Sequence, residues 1–477
     1  MGRGALIPST SSQSTPSRQM TQLEAISTIG SVPAVVMRPA RLHWALFFNI
    51  ALCVASAMGA VALGYPYAGA VILVAFLAVC LGYRIAIRDE YGFLAIGVGV
   101  VPALLMLRGL FVYNSAIFIF VGGTLLFLSH SPEELKLVWR DRVIQAYGIL
   151  ALLYWWLTYL NTNEYANNLR LVELVLSATS VKLLSRRRSY LATAFLGLAC
   201  SITCVALGML PHSDIRLGIA DIDGTRLGNP IILGIPCVLV LMLVLSDRGQ
   251  WMFLEKHFLA RAFIALVTGE WLVLSGSRGS WLAALGFVLI LAILKPPDRK
   301  LLLVLGASMA FVTGLALTTP LGEKISQQYE KTLDSDRTLA NRTSGRSAQW
   351  LAFPDAFSQS PIWGWGPGTG RNVVAIYTGR HLNWHALYLH VGAETGLIGL
   401  TALFSLLIAM GRRTYRHWRT FGEITPLLAL LTYAFFGFSV SAFDADSGIL
   451  IGLAFLGAEV APRYMVYEST IRQVEYA

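Results

Sequence analysis

Long apolar stretches recur along most of this 477-residue chain, and they constrain its fold more than any other feature. A helix needs about 20 apolar residues to cross the hydrocarbon core of a bilayer, and runs near that length return from residue 43 onwards. Hydrophobic residues make up 55% of the chain and charged residues 13%, against about 45–50% and 25% in soluble domains. The sequence therefore excludes a soluble globular enzyme and predicts an all-α polytopic membrane protein.

About fourteen apolar segments can be placed, at 43–64, 66–83, 92–107, 110–128, 143–161, 167–184, 189–209, 229–246, 259–276, 280–294, 301–318, 385–410, 424–442 and 447–462. Several are shorter than the roughly 17 residues that a span needs, so we predict about 12 to 14 transmembrane helices. The predicted domains are a disordered cytoplasmic tail at 1–42, transmembrane helices at 43–318, an outer loop at 319–384, C-terminal transmembrane helices at 385–462 and a cytoplasmic tail at 463–477.

The net charge of +10 could indicate a nucleic acid or an anionic membrane as partner, and the positions of the charges decide between them. With the N-terminus inside, roughly two thirds of the 37 lysines and arginines fall in cytoplasmic segments, as the positive-inside rule requires. Membrane topology thus explains most of the charge. We predict two cytoplasmic termini, contacts with membrane lipids and no nucleic-acid partner.

The outer loop at 319–384 is far longer than the roughly 2 to 8 residues that commonly connect helices, and its content favours a functional role. Trp350, Phe353 and Phe357 recur there at helical spacing, which predicts a short amphipathic helix on the membrane surface. The glycine-rich stretch PIWGWGPGTGR, residues 361–371, follows. It could leave backbone amides open to an anion, or form a tight turn with tryptophans at the lipid interface.

Two histidines, His381 and His385, lie where the loop returns to the membrane in RHLNWHALYLH. If this stretch is helical, they share one face and could bind a metal, act as interfacial capping residues, or include a general base. A metal would need a third ligand, and in a straight helix Glu394, the next carboxylate, falls on the opposite face. We favour a general base or hydrogen-bonding role for His385 and predict no metal.

Arginines on the outer side are candidates for binding an anion. Arg278 in GSRGSW and Arg346 in TSGRSAQW are the first choices, and Arg226 in DGTRLGNP ranks below them. For Arg278 the alternative is a salt bridge to Glu270 on the preceding helix. Further candidates for substrate contacts on the loop are Trp350, Arg371, Arg380 and His381.

A base and arginines on the outer face suit transfer from a lipid-linked pyrophosphate donor, because the arginines would neutralise the departing pyrophosphate. Such a donor is already activated, so the reaction would need neither ATP nor a cofactor. No GxSxG, Walker or HExxH string occurs, so serine hydrolase, nucleotide-driven pump and zincin activities have no support.

Three stretches resemble the O-antigen ligase family, within the larger group of O-antigen ligases, O-antigen polymerases and protein O-oligosaccharyltransferases. They are SRGSWLAALG after an apolar helix, SGRSAQWLAFPDAFSQSPIWGWGPGTGR in the loop and NWHALYLHVGAETGLIGL where the loop returns. The resemblance covers roughly residues 270–400 in detail, together with the polytopic layout and its long outer loop.

The resemblance implies a membrane glycosyltransferase of the GT-C type in the bacterial inner membrane, with a periplasmic active site. It implies inverting, metal-independent transfer of O-antigen from undecaprenyl pyrophosphate to a sugar of the lipid A core. By motif position, His385 matches the family's essential histidine, and Arg278 and Arg346 match its two important arginines. Ala386 departs from the family, which often has Asn or Ser there. Polymerase, protein glycosylation and non-enzymatic transport of anionic lipids remain alternatives.

Overall fold

The computed structural model describes residues 42–107, 110, 115–162, 169–213, 220–222, 225–228, 230–295, 300–303, 306, 307, 310, 314, 318, 346–439 and 445–456. The predicted tails, apart from Leu42, and residues 319–345 of the predicted outer loop lie outside this set.

Helices dominate the described residues, as the sequence predicts. In chain order they are α1 Trp44–Ala62, α2 Pro66–Ala86, α3 Glu90–Gly99, α4 Val101–Met106, α5 Ser115–His130, α6 Pro132–Trp139, α7 Arg142–Thr162, α8 Leu169–Leu184, α9 Arg188–Met209, α10 Pro230–Leu245, α11 Phe258–Leu274, α12 Arg278–Leu294, α13 Arg346–Gln359, α14 Gly370–Thr378, α15 Leu387–Phe421, α16 Thr425–Phe436 and α17 Ala445–Leu456. The described residues also contain one antiparallel hairpin that the sequence does not predict, β1 Ala220–Ile222 with β2 Thr225–Leu227.

Six helical stretches among the described residues are long and apolar enough to cross a membrane, and in two of them a 3-10 helix extends α9 (Leu210–His212) or α10 (Ser246–Met252). They are Trp44–Ala62, Pro66–Ala86, Arg142–Asn161, Arg188–His212, Leu233–Met252 and Leu387–Phe421. Large apolar side chains lie exposed along them, for example Phe48 at 61% and Leu52 at 58%, which is the surface expected to face lipid. The chain is therefore a multi-pass membrane protein.

Several predicted spans are shorter or broken in the structure. The apolar segment at 92–107 is divided between α3 and α4, with Pro102 near the start of α4. Helices α5 and α6 meet at an angle of 117°, so that pair is a bent span or a re-entrant loop. Helices α12 and α16 are apolar but shorter than the six spans. The total of 12 to 14 spans stays a prediction.

The carboxylate of Asp247 joins three helix ends. It lies just after α10, accepts hydrogen bonds from the backbone N–H and hydroxyl of Thr425 at the start of α16, and pairs at 2.7 Å with Lys295 at the end of α12. Helices α12 and α16 also pack against each other. They are therefore antiparallel, so Arg278 at the start of α12 and Phe436 at the end of α16 lie at the opposite end from Asp247.

Helix α15 breaks at Gly396, whose φ of 60° and ψ of −154° place it in a region that only glycine adopts readily. The break frees backbone groups on either side of Gly396, and the stretch 361–366 binds them. Their hydrogen bonds are Trp365 N–H to Ala393 O (2.8 Å), Gly366 N–H to Glu394 O (2.9 Å), Leu397 N–H to Pro361 O (2.8 Å) and Ile398 N–H to Ile362 O (3.3 Å). We call this arrangement the filled break.

Replacing Gly396 with alanine should destabilise the protein. A Cβ there would lie 2.3 Å from the carbonyl oxygen of Ile362, and the backbone strain alone should cost about 1–3 kcal/mol. Gly411→Ala in the same helix is the control, because its Cβ would meet only the Leu430 side chain, at 3.7 Å. The thermal midpoint in detergent should fall for Gly396→Ala and not for Gly411→Ala; equal midpoints would contradict the filled break.

Candidate active site

His385 lies in an irregular segment, residues 379–386, between α14 and α15. His381 and His385 therefore do not share a helical face, and the i, i+4 metal pair is wrong. The described residues contain no group of three or more His, Cys, Asp or Glu side chains that could hold a metal ion. Leu387 donates its backbone N–H to the Gly437 carbonyl at 2.7 Å, just after α16. This bond places the His385 segment at the same end of the helices as Arg278.

The side chain of Gln349 holds the His385 segment in place, a role that the sequence does not predict. It is buried on α13, accepts a hydrogen bond from the His385 backbone N–H at 2.9 Å and donates one to the Asn383 carbonyl at 2.9 Å. Phe353, one turn further along α13, packs edge-on against Trp384, with ring centroids 5.8 Å apart. Two residues of one helix therefore fix the backbone on either side of Trp384.

The environment of His385 favours its neutral form. Burial lowers the pKa of the imidazole below its ordinary value of about 6.5, and the positive charge of Arg346 lowers it further. Among the described residues, no side chain hydrogen-bonds to this ring. The contact from Gln349 is to the backbone of His385 and not to its ring.

Arg346 and Arg278 each begin a helix at the His385 end. Arg346 is the first residue of α13, three positions before Gln349. Arg278 is half-buried at the start of α12, where the Trp281 indole N–H donates to the Leu272 carbonyl at 2.8 Å and so fixes the turn from α11. Helix α10 crosses this turn closely, because a Cβ at Gly234 would lie 2.3 Å from the Ser280 hydroxyl.

The alternative partner of Arg278, Glu270, forms no ion pair with it in the described part of the chain. Oxygen Oε1 of Glu270 is buried and has no hydrogen-bond partner there. The salt-bridge interpretation of Arg278 is therefore not supported.

The remaining predicted contact residues are Trp350, Arg371, Arg380, His381 and Arg226, and they lie on several different segments. Trp350 is 43% exposed and stacks on Phe438, with ring centroids 6.5 Å apart. Arg371 is exposed near the start of α14, and Arg380 and His381 are exposed in the irregular segment that follows it. Arg226 lies on β2 opposite Asp221, and its side chain lies outside the described part.

The short helix predicted from Trp350, Phe353 and Phe357 is present as α13, but its buried face is different. Gln349 and Ala356 are buried, whereas Trp350 is largely exposed. Phe353 is half-buried and contacts both Trp384 and Phe357. The apolar spacing thus predicts the helix correctly, and the polar Gln349 on its inner face gave no signal of burial.

Two amides of the glycine-rich stretch do bind an anion, but the anion belongs to the chain itself. The Glu394 carboxylate accepts hydrogen bonds from the backbone N–H groups of Gly368 and Gly370, each at 2.8 Å. Gly370 begins α14, so the carboxylate lies at a helix N-terminus, where negative charge is favoured. These two amides are therefore not open to a phosphate.

One comparison with known proteins matches the part of the chain that contains this site. Residues 262–404 match the family model described as O-antigen ligase. This segment is therefore similar to O-antigen ligases. It contains Arg278, Arg346, Gln349, His385 and Glu394, and it ends within α15. No curated protein matches the chain at a significant level.

Proposed function

We propose that this protein is an O-antigen ligase, which transfers O-antigen from undecaprenyl pyrophosphate to a sugar hydroxyl of the lipid A core. The single observation that carries the proposal is the position of His385: its half-buried imidazole, whose pKa is lowered by burial and by the charge of Arg346, lies at the same end of the helices as Arg278. A neutral imidazole can accept a proton, and nearby guanidinium groups can bind a pyrophosphate.

In the proposed reaction, the acceptor hydroxyl oxygen attacks the anomeric carbon of the first O-antigen sugar. A new glycosidic C–O bond forms on one face as the bond to pyrophosphate breaks on the other, so the configuration inverts. His385 takes the proton of the hydroxyl. Arg278 and Arg346 neutralise the negative charge that develops on the departing undecaprenyl pyrophosphate. Arg226, Arg371, Arg380, His381 and Trp350 are proposed contacts for the glycans and the donor lipid.

Reconstitution with defined donor and acceptor tests this function. The purified protein in lipid vesicles should attach glycan to lipid A core without ATP and in the presence of a chelator. His385→Ala should lower the rate by about 10²–10⁴-fold, the usual contribution of a general base. His130→Ala, which removes an exposed histidine on α5, is the control.

Other products would identify the alternatives. Longer glycan on the carrier lipid would indicate a polymerase, and glycan on added periplasmic protein would indicate an oligosaccharyltransferase. Movement of anionic lipid without glycan transfer would indicate a transporter. Full activity of His385→Ala would contradict the general-base role.

The pH dependence of transfer should report the charge near His385. Activity should fall as pH decreases through the lowered pKa of His385, because protonation removes the base. Arg346→Gln removes a positive charge that lowers this pKa, so the acid side of the profile should move to higher pH, in addition to any fall in rate. Arg346→Lys keeps the charge and should keep the wild-type acid side. If activity fell at the same acidic pH in both variants, this electrostatic role of Arg346 would be contradicted.

We also propose that the protein lies in the bacterial inner membrane with both termini cytoplasmic, the Asp247 end of the helices inside and the His385 end periplasmic. Lys295, Arg188 and Arg413 support this orientation, since all three form ion pairs in predicted cytoplasmic segments. The GT-C type and the 12 to 14 spans remain part of the proposal.

Reporter fusions test the orientation. Green fluorescent protein fused after Ala477 should fluoresce, because it matures in the cytoplasm, and alkaline phosphatase fused at the same position should be inactive. An active alkaline phosphatase would contradict the proposed orientation.

A further inference from the structure

A buried polar cluster beside the filled break has no part in the proposed chemistry. Glu394 is only 1% exposed, and its carboxylate binds the Gly368 and Gly370 amides. The Tyr154 hydroxyl also donates to Oε2 of Glu394, and its oxygen lies 3.0 Å from Nε2 of His390. We call these five residues the Glu394 cluster.

Tyr154 brings a distant helix to the glycine-rich stretch. It lies on α7, outside the matched segment 262–404. One further residue of α7 makes a second contact, because the Asn161 side-chain amide donates to the Pro367 carbonyl at 3.0 Å. Helix α7 therefore holds the stretch through a side chain in the Glu394 cluster and through a backbone carbonyl next to it.

The Glu394 cluster is joined to the His385 segment through Gly370. A Cβ on Gly370 would lie 2.5 Å from Oε1 of Glu394 and 3.2 Å from Cδ1 of Trp384, so the glycine backbone packs between the carboxylate and the indole. Trp384 is fully buried and directly precedes His385. A shift of the Gly368–Gly370 backbone would therefore displace the indole and, with it, His385.

The His385 segment is thus supported from two sides. Gln349 and Phe353 of α13 hold it on one side, and the Gly370 backbone, fixed by Glu394, supports it on the other. A general base must lie within hydrogen-bond reach of the proton it takes, so a displacement of about 1 Å can cost up to about 10²-fold in rate.

We infer that Tyr154 and Glu394 are positioning residues that hold His385 in its reactive place through Gly370 and Trp384. The effect on transfer rests on the proposed function, whereas the effect on the mobility of the His385 segment does not. The inference assigns a role in the site to α7, which the family match does not cover.

The test uses Tyr154→Phe in the full-length protein, because this change removes only the hydroxyl that donates to Glu394. Tyr91→Phe is the matched control, since the Tyr91 hydroxyl is buried on α3 and has no hydrogen-bond partner among the described residues. Glu394→Gln is the second variant; it leaves one amide without its carboxylate partner. Hydrogen exchange of residues 366–371 and 382–387 and steady-state kinetics with defined donor and acceptor are measured on each.

Tyr154→Phe should speed exchange in both stretches and lower kcat by about tenfold or more, with little change in KM. Glu394→Gln should have a larger effect in the same direction. In the His385→Ala background, Tyr154→Phe should cause no further loss, because the base that it positions is absent.

Two outcomes would overturn the inference: exchange in Tyr154→Phe equal to that in Tyr91→Phe, or a loss of rate in Tyr154→Phe that persists undiminished in the His385→Ala background. A wild-type protein without transferase activity would instead refute the proposed function. In that case faster exchange in Tyr154→Phe would still support the positioning role, and unchanged exchange would overturn it.

Discussion

Unpaired backbone groups are costly where they are buried away from water, and the break at the buried Gly396 creates such groups in α15. The stretch 361–366 binds them on both sides of the break. This pairing fixes the glycine-rich stretch against α15, and from there the chain runs through α14 to the His385 segment. Broken helices of this kind are tolerated where other protein segments satisfy the freed groups, and here the segment that does so leads into the site.

A second constraint is the placement of charge. The buried carboxylate of Glu394 lies next to the glycine-rich stretch and is already bound by its backbone amides. Burial and the positive charge of Arg346, by contrast, lower the pKa of His385 and so favour its neutral form. In the proposed function, one end of the helices therefore combines a base that accepts a proton with arginines that bind an anionic group. Glu394 thus helps to hold the site, whereas His385 and the arginines perform the proposed chemistry.

The sequence predicts the parts of this arrangement that depend on local pattern. Apolar runs predict the helical membrane fold, the spacing of Phe353 and its neighbours predicts α13, and the arginines and His385 follow from motifs within one stretch of chain. The predicted start of the last helical region at 385 lies within two residues of Leu387, where α15 begins. Each of these features needs only neighbouring residues.

The sequence did not predict the contacts between distant segments. Tyr154 and Glu394 are 240 positions apart, and neither pattern nor spacing relates them. Gln349 looks like an ordinary polar residue of an amphipathic helix, although it is buried. The prediction that His381 and His385 share a helical face is wrong. The chain there is held by hydrogen bonds to Gln349 and Gly437 and not by the backbone hydrogen bonds of a helix.

A structure of the protein with the undecaprenyl-pyrophosphate-linked donor bound would test the central claim most directly. The guanidinium groups of Arg278 and Arg346 should both lie within about 2.7–3.2 Å of pyrophosphate oxygens, with the His385 ring facing the first sugar. A pyrophosphate bound near Asp247, or away from either arginine, would contradict that claim.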